Sequence, residues 1–476
     1  MSENGRSQVP QDAGRDAGRD AGKGELYGVT QEQIATFREA LDAGDTARCE
    51  AFTLGLHAAD LADLIEGLTA PERHILVALI GPHLDPELLV FLEGPVRDDV
   101  VGQMEPGDVA AAVGELDTDD AVDVIEGLDA PVQAQVLERM EAGDRKLVEQ
   151  ALAWPEDSAG RLMEREVVAV PAYWTVGDAI DYLRDEAEKG GGGLPTEFFD
   201  LFVVDPARHP VGSVSLSRLL RNRRPVPLED IMDRALHAVP VATDQEEVAL
   251  LFRQYDLASA PVVDEPGRLL GVITHDDVLD VIDQEAEEDI MRLGGVKEDD
   301  LYLAALKTSR SRIPWLMVST VSALIASVVI WQFEATIEEL VALAILMPIV
   351  AALGGNAGTQ AMTVAVRALA VKDLNAANAP RIVGKEVIVG LFNGIILASL
   401  VGLVAAAWFA SVGLGLIIAG ALVVNLLVAG LMGIVIPLAL DRAGADPAIA
   451  SGVCLMTVTD VVGFSAFLGF AALFLG

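Results

Sequence analysis

AIASGVCLMTVTDVVGFSAFLGFAALFL, residues 448–475, is an unbroken apolar run whose single charged residue, Asp460, lies near its middle. A helix of that length, rising about 1.5 Å per residue, crosses the ~30 Å hydrocarbon core of a bilayer. A carboxylate at that depth costs at least ~2.5–3.5 kcal/mol on insertion scales, so it needs a role or a partner. The run holds no Lys, Arg or His to serve as one. Two readings stand: a protonated or helix-paired Asp that holds a bundle together, and a cation site on a pore.

Four similar runs precede it, at about 313–333, 338–365, 384–410 and 414–440, so residues 312–476 read as an all-α transmembrane domain of five helices. Basic residues set the orientation. Lys307, Arg310 and Arg312 precede the first helix, Arg367, Lys372, Arg381 and Lys385 flank the second loop, and Arg442 lies in the fourth. Glu334, Glu338 and Glu339 mark the first loop, and residues 411–415 carry no charge. The expectation is a multi-pass cell-membrane protein with its N-terminus cytoplasmic and its C-terminus outside. Trp315, Trp331 and Trp408 fall near helix ends, as interfacial residues do. Within the second run, MPIVAALGGNAGTQ (347–360) is followed by Thr363. Pro348, Gly354, Gly355 and Gly358 weaken a helix there, which lipid tolerates only where backbone is buried or lines a cavity. Close helix packing through small residues is the alternative. Asn393 and Asn425 read as interhelical glue.

Charge divides the chain. The first 311 residues hold 64 acids and 27 bases, a net of −37, whereas residues 312–476 hold eight and six. Such acidity excludes nucleic acid as a partner and favours small cations, with general solubility as the bland alternative. Only Cys49 and Cys454 occur, so there is no disulfide framework, and the six His lack metal-ligand spacing. No apolar leader opens the sequence. Residues 1–24, with DAGRDAGRDAGKG from Asp12, read as a disordered tail.

Residues 25–152 carry short amphipathic helical segments. ADLADLIEGL (59–68) recurs as DDAVDVIEGL (119–128), each followed by Ala-Pro, and PGDVAAAVGEL (106–116) is a looser copy. Short helices that cannot bury a face alone suggest a small superhelix of repeats. Residues 153–283 alternate strand and helix in two copies, about 153–222 and 228–283. The first is interrupted by the glycine loop 190–193. From Asp276 a charged helix leads through residues 284–311 toward the first apolar run. Asp276, Asp280, Asp283 and Glu287 fall on one face of it, where like charges destabilise a helix unless cations or bases sit among them. A merely solvated acidic face is the other reading.

The second strand–helix copy, SAPVVDEPGRLLGVITHDD (259–277), resembles a CBS domain, and the two copies a tandem CBS pair. That resemblance implies a ribose contact from Thr274 and Asp277, making ATP a candidate ligand; an empty structural pair is the alternative. With the helical repeats, the acidic helix, GGNAGTQ (354–360) and TDVVGF (459–464), the whole resembles the MgtE family of magnesium transporters. The likeness covers essentially residues 25–476. It implies no enzyme but a homodimer in the lipid bilayer, conducting Mg²⁺ along its two-fold axis and gated by cytoplasmic Mg²⁺. It assigns Asp460 as the pore carboxylate, with Gly355, Thr359, Thr363 and Met456 lining the passage. Thr359 and Gly452 stand where the family often has Asn. It assigns Mg²⁺ sensing to Asp244, Glu246, Asp256, Asp277, Asp280, Glu285, Glu288 and Asp289, with Asp446 facing them and Glu87, Asp119 and Asp123 as partners in the repeats. Rival readings are a CBS-regulated transporter of Mn²⁺ or Co²⁺, and a membrane nucleotide sensor that transports nothing.

Overall fold

The computed structural model describes residues 28–81, 84–189, 194–195, 197–296, 305–375 and 377–475. The tail at 1–24 and the loop at 190–193 lie outside them. The chain divides into two compact units, residues 1–281 and 282–476.

In the first unit the sequence repeat is a structural repeat. Helices Ala58–Glu66 and Thr118–Glu126 bury Leu61, Ala62, Leu64 and Ile65 in one copy and Ala121, Val122, Val124 and Ile125 in the other. This is the i, i+1, i+3, i+4 pattern of one apolar face. Each helix is followed by another (Ala70–Ile80, Ala130–Arg139) with proline in its first turn, where no amide hydrogen is needed. Neighbouring faces merge into one core that runs from Val29 to Ala151.

The strand–helix copies form two three-stranded sheets. In the first, β1 (Ala169–Pro171) runs parallel to β2 (Asp200–Val204), which pairs antiparallel with β3 (Pro210–Ser215). In the second, β4 (Val239–Pro240), β5 (Ser259–Val263) and β6 (Leu269–Thr274) repeat this order. Both break register at the matching place, Val203/Val204 and Val262/Val263. The turn after β5 needs a left-handed residue and has Gly267 at φ 89°; Arg208 takes the same conformation at φ 67° in the first copy. The copies also exchange lead-in segments: Glu164 bridges to Val272 in β6, and Asp233 to Ser213 in β3.

From β6 the connecting helix runs over His275–Gly294. Among the described residues, the second unit then has five helices long and apolar enough to cross a membrane: Ala305–Trp331, Ala342–Ala370, Ala379–Trp408, Val412–Arg442 and Pro447–Phe474. The first begins eight residues before the expected 313. Its helix continues through Lys307, Arg310 and Arg312, because basic residues end an apolar span without ending a helix. The second begins later than expected; Glu334–Glu339 is a separate short helix, and Leu340 (φ −137°, ψ 85°) breaks the backbone before Ala342. The fourth helix is the hub, packed against the second, third and fifth. Small residues permit this approach: a Cβ at Gly390 would stand 2.7 Å from the Leu426 carbonyl oxygen, and one at Gly430 2.8 Å from that of Glu386.

Candidate cation sites

Three carboxylates from distant parts of the first unit converge. Asp119, Glu164 and Asp277 each bring an oxygen within 4.8 Å of the others, all in one buried or half-buried spot. Asp119 lies in the first turn of the repeat helix Thr118–Glu126, where the first copy has Ala59. Asp277 lies in the first turn of the connecting helix, and its Oδ2 accepts from the Thr274 hydroxyl at 2.7 Å and the Thr274 amide at 3.1 Å. Thr274 and Asp277, read from the sequence as a ribose contact, thus cap the helix. Glu164 is held by its backbone: its amide donates to Val272 at 2.8 Å and its carbonyl accepts from Val272 at 2.9 Å.

Burial sets the titration of this cluster first, and neighbouring carboxylates add to it. Asp119 is held protonated well above the usual range by burial, then by Asp277, Asp120 and Glu164. Glu164 is pushed up to about 8 by burial and then by Asp277 and Asp117. Asp120 is pushed up to about 7 by burial, Asp277 and Asp117. Asp277 is raised by burial, against the opposing hydrogen bonds from Thr274. The Glu87 and Asp280 charges reach the same cluster, through Asp117 and Asp120 respectively. A group of acids so close must hold either protons or a cation. Oxygen ligands of this kind suit a hard divalent ion that keeps some of its water.

Sequence reasoning found Asp119 and Asp277 but missed Glu164, Asp117 and Asp120. A signal for Glu164 was available. Met163-Glu164-Arg165 before the first sheet recurs as Met232-Asp233-Arg234 before the second. Both tripeptides make the cross-copy bridge, each with its Met packed at a glycine, Gly271 and Gly212.

A second group gathers at the far end of the connecting helix, within the second unit. Asp446 caps the fifth membrane helix, accepting from the Ala448 amide at 2.7 Å, and also accepts from Arg292 Nη1 at 2.6 Å. Arg292 pairs with Glu288 one turn back. Half-buried Asp289 is raised by burial, then by Asp446 and Glu285, while Arg367 opposes. Glu285, Glu288, Asp289 and Asp446 are therefore brought together as the sequence led us to expect, but around an arginine.

The other sensing residues are dispersed. Asp244 caps the helix Gln245–Tyr255, accepting from the Glu246 amide at 2.9 Å, whereas Asp256 takes the left-handed cap at the opposite end of that helix. One helix length, ~16 Å at its rise per residue, separates them. Asp123 is paired with buried Arg97 at 2.7 Å. Asp276, Asp280, Asp283 and Glu287 are all exposed along the connecting helix.

In the second unit Asp460 stands part-exposed on the fifth membrane helix, and among the described residues no base pairs with it. Gly452 and Met456 precede it at four-residue spacing; Met456 is exposed, and a Cβ at Gly452 would meet nothing. Gly355, Thr359 and Thr363 repeat that spacing on the second helix. Thr363 is exposed and donates to the Thr359 carbonyl at 2.9 Å, and a Cβ at Gly355 would also meet open space. Two stripes thus lie on adjoining helices, outside the packed core. Asn425 is glue, donating to Val350 of the second helix at 2.9 Å, whereas Asn393 is exposed.

Residues 347–470 match the MgtE family, described as a divalent cation transporter; residues 56–157 match the MgtE intracellular N domain; and residues 159–224 and 228–284 each match the CBS domain. Magnesium transporter MgtE of Bacillus subtilis is 32% identical over 412 residues, covering 85% of this chain and 89% of that one. Magnesium transporter MgtE of Thermus thermophilus is 33% identical over 453 residues, covering 94% and 99%. Among solved structures, the cytosolic domain of the Mg²⁺ channel MgtE in complex with ATP is 30% identical with a TM-score of 0.47, covering 52% of this chain and 99% of that one.

Proposed function

The chain belongs to the MgtE family of magnesium transporters, and on that premise we propose that it is a homodimeric Mg²⁺ channel closed by Mg²⁺ on its cytoplasmic side. It is a transporter rather than an enzyme. The observation that carries the pore reading is Asp460, a membrane carboxylate with no basic partner among the described residues, in line with Gly452 and Met456 on a face that one protomer leaves unpacked. One Asp per chain holds a divalent ion poorly, but a two-fold axis supplies two. Mg²⁺ dehydrates reluctantly, so two carboxylates with carbonyls and hydroxyls from Gly355, Thr359 and Thr363 suit an ion that keeps its water. The basic loops support a cytoplasmic N-terminus and an external C-terminus.

The working parts are a repeat region at 25–152, a CBS pair at 153–283, a connecting segment at 284–311, and the pore domain from 312. Without Mg²⁺ the acids repel; with it, bridging ions hold the cytoplasmic parts together and bias the connecting helix toward closure. A ligand shifts such an equilibrium only through its differential affinity for the two arrangements. ATP is a further ligand of the CBS pair, in the cleft lined by Phe198, Phe199, Asp200, Ser259 and Thr274. It would share that wall with Glu164 of the acid cluster.

Mg²⁺ uptake into proteoliposomes tests the pore. Asp460→Ala or Asp460→Asn abolishes flux in protein that still assembles; wild-type flux in either sinks the assignment. Competition by Mn²⁺ and Co²⁺ in the same assay decides between Mg²⁺ and the other divalent cations as cargo. Replacing Asp277, Asp280, Glu285 and Glu288 together with Ala leaves conduction intact and weakens inhibition by Mg²⁺. Lost flux with unchanged inhibition would make the connecting helix merely structural.

A further inference from the structure

Asn425, in the middle of the fourth membrane helix, is fully enclosed. Its Nδ2 donates to the Val350 carbonyl oxygen of the second helix at 2.9 Å, while its Oδ1 finds no partner among the described residues. For packing alone this is a poor residue: leucine has the same branching and leaves no buried acceptor of its own unpaired. The surroundings explain the shape. A Cβ at Gly354 of the second helix would stand 2.8 Å from Asn425 Cγ and 3.1 Å from its Oδ1. A Cβ at Gly463 of the fifth helix would stand 2.7 Å from Nδ2 and 3.0 Å from Cγ. The flat carboxamide therefore fills two glycine notches at once, and the bond to Val350 fixes the plane in which it lies. Leucine, tetrahedral at Cγ, is thicker there and makes no such bond.

The two notched helices carry the two stripes described above. Gly354 is next to Gly355, and Gly463 is three residues, under one turn, beyond Asp460. We propose that Asn425 is a positioning residue for ion passage: wedged between Gly354 and Gly463, it sets the spacing of the second and fifth helices and so the distance from the Asp460 carboxylate to the Gly355–Thr359 stretch. That spacing selects among hydrated divalent cations. Asn425 touches no ion itself. The inference rests on the pore reading of Asp460, and the test separates the two.

The test measures Mg²⁺ and Co²⁺ influx into proteoliposomes, per folded protein recovered by size exclusion, for the wild type, Asn425→Leu, Gly463→Ala, Asn425→Ala/Gly463→Ala and Asp460→Asn. Asn425→Leu and Gly463→Ala each lower Mg²⁺ influx about tenfold and change the Mg²⁺/Co²⁺ ratio at least about threefold, as expected of an ångström-scale misplacement. The double variant conducts better than Gly463→Ala alone, because the shortened side chain vacates the notch that the added methyl fills. Wild-type flux and ratio in Asn425→Leu, with Asp460→Asn inactive, overturns this inference and leaves the pore reading standing. Wild-type conduction by Asp460→Asn overturns the pore reading instead. Should Asn425→Leu fail to fold, Gly463→Ala with and without Asn425→Ala decides: rescue by the second substitution supports positioning, and a further loss overturns it.

Discussion

The two groups of carboxylates along the connecting helix are built on opposite plans. At its start, Asp119, Glu164 and Asp277 meet with oxygens within 4.8 Å, and the charges that bear most on them are other acids. At its end, Glu288 and Asp446 share Arg292, and Arg367 bears on Asp289. An arginine is a cation the protein cannot release, so the second group is partly neutralised under all conditions. The first must take a proton or a divalent ion from solution, and it is the part fitted to sense.

The largest expected effect breaks this contrast at its sensing end. In Asp119→Asn/Glu164→Gln the amides imitate the protonated acids, so docking no longer needs a cation. Protease protection of residues 28–281 should then be the same with and without millimolar Mg²⁺, whereas in the wild type Mg²⁺ should increase it several-fold. A wild-type Mg²⁺ titration in this variant would remove the cluster from the sensor.

A smaller effect sharpens the comparison through pH. Glu164 at about 8 and Asp120 at about 7 lie above an unfolded carboxyl, and Asp119 is raised as well. The folded state therefore holds protons that the unfolded chain has lost. The resulting stability is fully present below the ordinary carboxyl range, ~4, and is lost as pH rises through 7 and 8. Without Mg²⁺, the thermal stability of the cytoplasmic unit should fall between pH 6 and about 8.5, and saturating Mg²⁺ should flatten that slope. A flat profile in both conditions would mean that these acids are already satisfied.

The smallest effect is at the other end. Arg292→Gln should raise the Mg²⁺ needed for half-inhibition of flux by about threefold, since an ion must now replace a built-in charge of modest worth. A decrease would mean that the guanidinium competes with Mg²⁺ rather than standing in for it.

Much of this was legible from local pattern alone. Five apolar runs, a repeated DLIEGL/DVIEGL helix and two strand–helix copies are short-range signals, because hydrophobic burial follows residue periodicity. Asp460 was conspicuous for the same reason: its neighbours in sequence are also its solvent. The five spans, the division of charge and the lone membrane carboxylate were determined by the sequence itself. Its sensing acids were another matter. Which of them are stripped of counter-ions and which are paired was decided by tertiary structure. Glu164 reaches Asp277 because its segment bridges to β6, over a hundred residues away. Asp446 meets Arg292 across 154 residues. Asn425 matters only because Gly354 and Gly463 arrive at its two faces. Electrostatic and steric energies depend on distances of a few ångströms, and between residues so far apart in the chain only the fold sets those distances.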